Sequence, residues 1–198
     1  MKNKFLTAIL LVGFTVLLSS CAKVPQVELD AAKAAVELAR TQGADLYLTA
    51  EYSALQDSLN AVSEAIEAQK GKMFGNFGDV KTRLANLSEQ SVAVTAQTET
   101  RKAEVLAETN ALLADLTNTI NTSKELLASA PKGKEGAAAL EAINAEIAAV
   151  EIVASEATTL MEQGSLLEAL DKSKTAFEKI NSVKAELEAV HAKVGSRR

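Results

Sequence analysis

The sequence predicts an all-α protein, an elongated antiparallel bundle or set of helical hairpins with about five helices, one of them very long. Three observations lead to this prediction. The chain is rich in Ala, Leu, Glu and Lys, which lose little side-chain freedom in a helix. Apolar residues recur every three or four positions, and no segment alternates as a half-buried strand does. Glycine and proline fall in short clusters that separate the periodic segments.

The clusters define the predicted helices, which span about 27–42, 49–70, 79–130, 137–163 and 166 onwards. Thr49, Asp79 and Ser165 stand where N-cap residues are expected. Each helix has one apolar stripe, and together the stripes predict the core: Leu29, Ala32, Val36, Ala39, Tyr52, Leu55, Leu59, Val62, Ile66, Val80, Leu84, Leu87, Val94, Leu112, Leu116, Ile120, Leu127, Leu140, Ile143, Ile147, Val150, Leu160, Leu166, Leu170, Phe177, Ile180, Leu187 and Val190.

The third predicted helix changes character in its middle. No Gly or Pro interrupts residues 79–130, which would extend about 78 Å as one helix. Residues 95–104, TAQTETRKAE, contain no large apolar side chain, and a helix that is polar all round buries little. We therefore expect an N-terminal helical region (21–94), a polar helical bridge (95–104) and a C-terminal helical hairpin region (105–198). A single continuous antiparallel bundle is the alternative.

The two halves of the chain resemble each other. Gly75-Asn76-Phe77 with Val80 corresponds to Gly164-Ser165-Leu166 with Ala169, and the preceding apolar stripes align with a slip of one residue. A duplicated helical hairpin would explain this likeness. Convergence of two generic helix–turn–helix sequences would explain it equally well.

The first 20 residues have the pattern of a cleavable export signal. Lys2 and Lys4 precede an apolar run from Phe5 to Leu18, and small residues follow it. The run is shorter than the roughly 20 residues that a transmembrane helix needs. We therefore expect residues 1–20 to be removed from the mature protein.

The predicted signal ends in Leu18-Ser19-Ser20-Cys21, and Cys21 is the only cysteine of the chain. These four residues resemble the bacterial lipobox. The resemblance implies cleavage between Ser20 and Cys21 and acylation of the Cys21 sulfur. An ordinary secretory signal with an incidental cysteine is the alternative, but it would leave one reactive thiol exposed.

Charge and sorting residues limit the partners. The chain has a formal net charge of −5, and loss of Lys2 and Lys4 makes the mature protein more acidic. We expect no nucleic-acid partner, since phosphates require clustered basic residues. Membrane attachment is expected through the acyl chains on Cys21. Ala22 and Lys23, with no aspartate after the cysteine, resemble Gram-negative sorting signals that imply the outer rather than the inner membrane. We expect the protein to face the periplasm, and exposure on the cell exterior is the alternative.

The start of the mature chain, from Val27 to about Leu87, contains a further recognisable pattern. Its residues are Glu28, Leu29, Ala31, Ala32, Ala34, Ala35, Ala39, Gly43, Ala44, Tyr47, Glu51, Leu55, Gly75 and Phe77. This pattern is similar to an uncharacterised family of short alanine-rich helical domains in bacterial envelope lipoproteins. Ala50 and Val80 depart from the family pattern, which has proline and alanine there. The resemblance implies a helical, envelope-anchored domain and no chemistry.

No catalytic or metal-binding pattern is found in the sequence. His191 is the only histidine, so Glu-x-x-His motifs on two helices cannot form a metal site. Ser165 after Gly164 is explained by a turn and cap, and the glycines at 71 and 75 lack phosphate-loop spacing. We predict no enzyme activity, no cofactor and no metal.

Met73, Phe74 and Phe77 are the candidate partner contacts, because exposed Met and Phe can mark a binding surface. The alternative is that Phe74 and Phe77 close the core at a hairpin end.

Taken together, these features predict a lipid-anchored envelope lipoprotein. It would act as a non-enzymatic structural or protein-interaction module with an unidentified envelope protein as partner. A periplasmic carrier of small molecules or lipids is the alternative function.

Overall fold

The computed structural model describes residues 23–73, 75–131 and 137–195. These residues form helices and contain no strand, which confirms the all-α class and the very long helix. The helices are α1 (Gln26–Thr41), α2 (Ala44–Tyr47), α3 (Thr49–Lys70), α4 (Gly78–Ser129), α5 (Ala137–Glu162) and α6 (Leu166–Gly195). The predicted signal peptide, its cleavage site at Ser20 and Cys21, and Phe74 lie outside the described residues.

The predicted helices are found with small shifts, and one short helix was missed. This helix, α2, is a single turn between α1 and α3. It follows Gly43, whose φ of 86° is left-handed and ends α1. A four-residue turn is too short to show an apolar period, so the sequence pattern could not predict it.

Two of the three predicted N-caps are wrong. Thr49 is the first residue of α3, and no side chain caps that helix. Asp79 lies within the first turn of α4, where its negative charge faces the positive end of the helix dipole. Asn76 instead accepts a hydrogen bond at Oδ1 from the backbone N–H of Gly78, at 2.9 Å. Ser165 does precede α6, and its carbonyl accepts from the N–H of Ala169 at 3.0 Å.

The chain divides into two compact units between Arg101 and Lys102, inside the segment predicted as a polar bridge. The first part of α4 belongs to unit 1, together with α1, α2 and α3. The rest of α4 belongs to unit 2, together with α5 and α6.

Unit 1 has a core of three helices, with α2 at the connection between α1 and α3. The Nζ of Lys81 lies 3.1 Å from Oε1 of Glu28, so the first turns of α1 and α4 lie side by side. The short connections make α3 antiparallel to both. The buried apolar side chains that pack together in this core are Leu29, Ala32, Val36, Ala39, Ala44, Tyr52, Leu55, Val62, Ile66, Phe77, Val80, Leu84, Leu87 and Val94.

Unit 2 has its own core between α4, α5 and α6. Lys172 pairs with Glu156 and Lys179 with Glu146, both at 2.8 Å, so α5 and α6 run antiparallel. Lys124 of α4 pairs with Glu151 of α5 at 2.6 Å. The buried apolar side chains that pack together in this core are Leu116, Ile120, Ile143, Ile147, Val150, Ala176, Ile180, Val183 and Leu187. In both units, the residues of the predicted apolar stripes are buried or half-buried.

The expectation that residues 95–104 bury little is wrong at Thr98. This side chain is fully buried, and its hydroxyl donates to the carbonyl of Val94 at 2.8 Å. Ser91 before it is also buried and bonds the carbonyl of Leu87 in the same way. A hydroxyl satisfied by its own helix can occupy a buried stripe position without an unpaired donor.

The two turns that suggested a duplication differ in construction. Gly164 has a left-handed φ of 81°, and Ser165 N–H donates to the carbonyl of Leu160 at 2.9 Å, as in a Schellman motif. At Gly75 the requirement for glycine is steric instead, because a Cβ there would lie 2.5 Å from the carbonyl oxygen of Gln69 and clash with it. Duplication therefore stays a hypothesis.

We predict that Gly164→Ala lowers the free energy of unfolding by roughly 1–2 kcal/mol, because the alanine Cβ is strained in the left-handed region. Gly71→Ala is the matched control, since its nearest neighbour, the carbonyl oxygen of Glu67, would lie 4.0 Å away in ordinary contact. Urea denaturation followed by circular dichroism measures both. Equal destabilisation by the two variants would contradict the assigned backbone geometry.

Candidate functional site

The three residues singled out as partner contacts have different environments. Met73 is 92% exposed, whereas Phe77 is 5% exposed and belongs to the core of unit 1. Phe77 is therefore not available to a partner, and the prediction for it is corrected to a core residue that closes this end of the unit. Phe74 lies outside the described residues. Met73 is the one described member of the trio that a partner can contact.

Hydrogen bonds fix the two ends of the turn that bears Met73. The backbone N–H of Asn76 donates to Oε1 of Gln69 at 3.3 Å, and Asn76 in turn accepts from Gly78. Gly75 lies directly against the carbonyl of Gln69. These contacts join the end of α3 to the start of α4 and hold Phe77 in the core.

The first described residues of the chain lie at the same end of unit 1. Val24 packs against the core, Pro25 is buried, and Val27 is 80% exposed. The ion pair between Glu28 and Lys81 connects this segment to the start of α4. The backbone N–H of Glu28 and then the Lys81 ammonium lower the pKa of the Glu28 carboxyl. We call this end of unit 1, formed by residues 23–28, 70–73 and 75–81, the Met73 end.

Grooves of about 400–500 Å³ lie between neighbouring helices of each unit. The groove between α5 and α6, of about 490 Å³, is lined mainly by polar side chains together with Ile152 and Leu160. Ile152 is 62% exposed. The ion pair between Lys172 and Glu156 crosses this groove, and its hydrogen bond raises the pKa of Lys172.

The buried polar side chains of both units form hydrogen bonds that stabilise the helices. The buried hydroxyls of Ser91, Thr98, Thr109, Ser123 and Ser173 each donate to the carbonyl four residues earlier. In residues 23–73, 75–131 and 137–195, no buried side-chain nitrogen or oxygen lacks a partner.

His191 also forms a hydrogen bond to a backbone carbonyl. Its Nε2 lies 2.8 Å from the carbonyl oxygen of Leu126, which can only accept, so Nε2 carries the proton. Near this point Ala130 N–H donates to Leu127 rather than to Leu126, which leaves the Leu126 carbonyl for His191 and Ser129. The part of the chain that is described contains no group of three or more His, Cys, Asp or Glu placed to hold a metal ion.

Among the described helices, none is both long and apolar enough to cross a membrane. Comparison with known protein families, with curated proteins and with solved structures finds no match to this chain. The resemblance to alanine-rich envelope lipoprotein domains therefore stays a prediction from the sequence.

We predict opposite results for truncation of the two described residues of the trio. Phe77→Ala should lower the free energy of unfolding by roughly 3–5 kcal/mol, because it opens a cavity in the core of unit 1. Met73→Ala, the matched control on the same turn, should change it by less than about 0.5 kcal/mol. Denaturant titration measures both, and a large loss with Met73→Ala would contradict its exposed position.

Proposed function

We propose that the protein is a lipid-anchored lipoprotein of the bacterial cell envelope, held in the outer membrane by acyl chains on Cys21 and facing the periplasm. In this proposal it acts as a non-enzymatic structural or protein-interaction module. The observation that supports it most is the signal sequence that ends at Leu18-Ser19-Ser20-Cys21, with the single cysteine of the chain at the position that acylation requires.

The position of the first described residues is compatible with this anchor. Val24 and Pro25 already contact the core of unit 1, three and four residues after Cys21. Acyl chains on that cysteine would therefore hold unit 1 next to the membrane by a very short link. The helices of both units would then present their charged outer faces to the surrounding compartment.

The hydrogen bonds and ion pairs made by the polar side chains support a structural or binding role. The buried hydroxyls bond their own helices, and the single histidine bonds the end of α4. Three glutamates of α5, at 146, 151 and 156, form ion pairs with lysines of α4 and α6. These side chains stabilise helices and helix contacts.

The carrier function is the second candidate, and the groove between α5 and α6 favours it. Its volume of about 490 Å³ falls within the range of about 300–1,000 Å³ that ligand pockets occupy. Its lining includes Ile152 and Leu160, but the ion pair between Lys172 and Glu156 crosses it. Burial of an apolar ligand against these charged groups would be costly, so we rank this function second.

We predict that Cys21→Ser abolishes incorporation of radiolabelled fatty acid and removes the protein from the outer-membrane fraction, because the acylated sulfur is lost. Lys33→Gln is the matched control, since this exposed lysine of α1 lies outside the lipobox and the sorting residues, and the variant should keep both label and location. The measurements are in-cell palmitate labelling and membrane fractionation. Undiminished labelling of Cys21→Ser would refute the proposal.

A further inference from the structure

The two most exposed large apolar side chains of the described residues lie at the same end of unit 1. They are Met73, at 92%, and Val27, at 80%; the next, Leu46, is 65% exposed. Both belong to the Met73 end, where the Glu28–Lys81 pair places the start of α1 beside the start of α4. Apolar side chains exposed on a protein surface favour contact with another apolar phase.

Two exposed lysines belong to the Met73 end. Lys23 precedes α1, four residues before Val27, and Lys72 directly precedes Met73. Two of the nearby carboxylates pair with lysines of the protein, Glu28 with Lys81 at 3.1 Å and Glu67 with Lys70 at 2.7 Å. Asp30, three residues after Val27, accepts a hydrogen bond from the side-chain amide of Gln26. Asp79 lies 4.0 Å from Arg83. The protein as a whole is acidic, but this end presents ammonium groups beside exposed apolar side chains, which suits phosphate headgroups above acyl chains.

The covalent link to Cys21 sets the distance to the bilayer. Three residue steps connect Cys21 to Val24, which is packed on the core, and three extended residues span at most about 11 Å. The headgroup layer on each side of a bilayer is itself about 5–7 Å thick. An acylated Cys21 therefore keeps Val24 within about 4–6 Å of the outer edge of the headgroup layer, so the Met73 end lies at or next to the lipid surface.

We infer that the Met73 end is a membrane-contacting surface: Met73 and Val27 enter the headgroup layer of the bilayer that holds Cys21, while Lys23 and Lys72 contact lipid phosphates. The inference rests on the proposed lipid anchor and adds a defined orientation of unit 1 against the membrane. The opposite end of the unit, at α2, is held away by the length of α3, about 33 Å for 22 residues.

The test uses the mature, lipidated protein in vesicles of phosphatidylethanolamine and phosphatidylglycerol. With Cys21 acylated, Met73→Cys provides the only free thiol, and it is labelled with an environment-sensitive nitrobenzoxadiazole dye. Leu46→Cys is the matched control, since Leu46 is exposed at the opposite end of unit 1. We expect the label at 73 to shift to the blue and to be quenched by lipids that carry a spin label near the headgroup, and the label at 46 to show neither change.

The lysines are tested in the Met73→Cys background. Lys72→Gln should lower the ratio of quenched to unquenched label by about fivefold in anionic vesicles, the effect of one lysine at a charged membrane surface. It should have little effect in vesicles of phosphatidylcholine alone. Lys33→Gln, about two turns further along α1, should have a smaller effect in either vesicle.

The outcomes separate this inference from the proposed function. If the mass of the protein shows acylated Cys21 and the protein floats with the vesicles, but neither label is quenched, the inference fails and the anchor stands. Equal quenching at 73 and 46 also overturns it, because the unit then lies flat. A change at 73 that depends on protein concentration without vesicles would indicate a second copy and overturn it as well. If the mass shows no acyl chains on Cys21 and the protein does not bind vesicles, both the inference and the proposed lipid anchor are overturned.

Discussion

The buried stripe of α4 is the constraint on which both cores depend. Val80, Leu84 and Leu87 provide one wall of unit 1, and Leu116 and Ile120 provide one wall of unit 2. Both sets belong to one helix of 52 residues with no Gly or Pro after Gly78. A break in its hydrogen bonding would therefore remove one of three helices from a core.

The chemistry of this stripe explains how so long a helix keeps a buried side with few large apolar residues. Ser91, Thr98, Thr109 and Ser123 occupy buried positions and bond to carbonyls of the preceding turn. Each such bond satisfies the hydroxyl at the cost of some helix propensity. Exposed ion pairs between helices add little stability, so packing of the apolar stripes holds each unit together.

The sequence predicted the helices well, because glycine and proline clusters mark their ends and the apolar period marks their buried sides. It missed α2, which is too short to show a period. It placed caps at Thr49 and Asp79, whereas no side chain caps α3 and Asn76 accepts from the first residue of α4. Burial of Thr98 was missed because the pattern counted only large apolar residues. At the candidate site, the sequence could not separate exposed Met73 from buried Phe77, because both residue types occur in cores and on binding surfaces.

Anchoring at Cys21 is the central functional claim, and mass spectrometry of the N-terminal peptide of protein purified from bacterial membranes tests it most directly. We predict a mature chain that begins at Cys21, with the mass of acyl chains added to that residue and residues 1–20 absent. A peptide that retains residues before Cys21, or one that begins at another residue with an unmodified Cys21 thiol, would contradict the account.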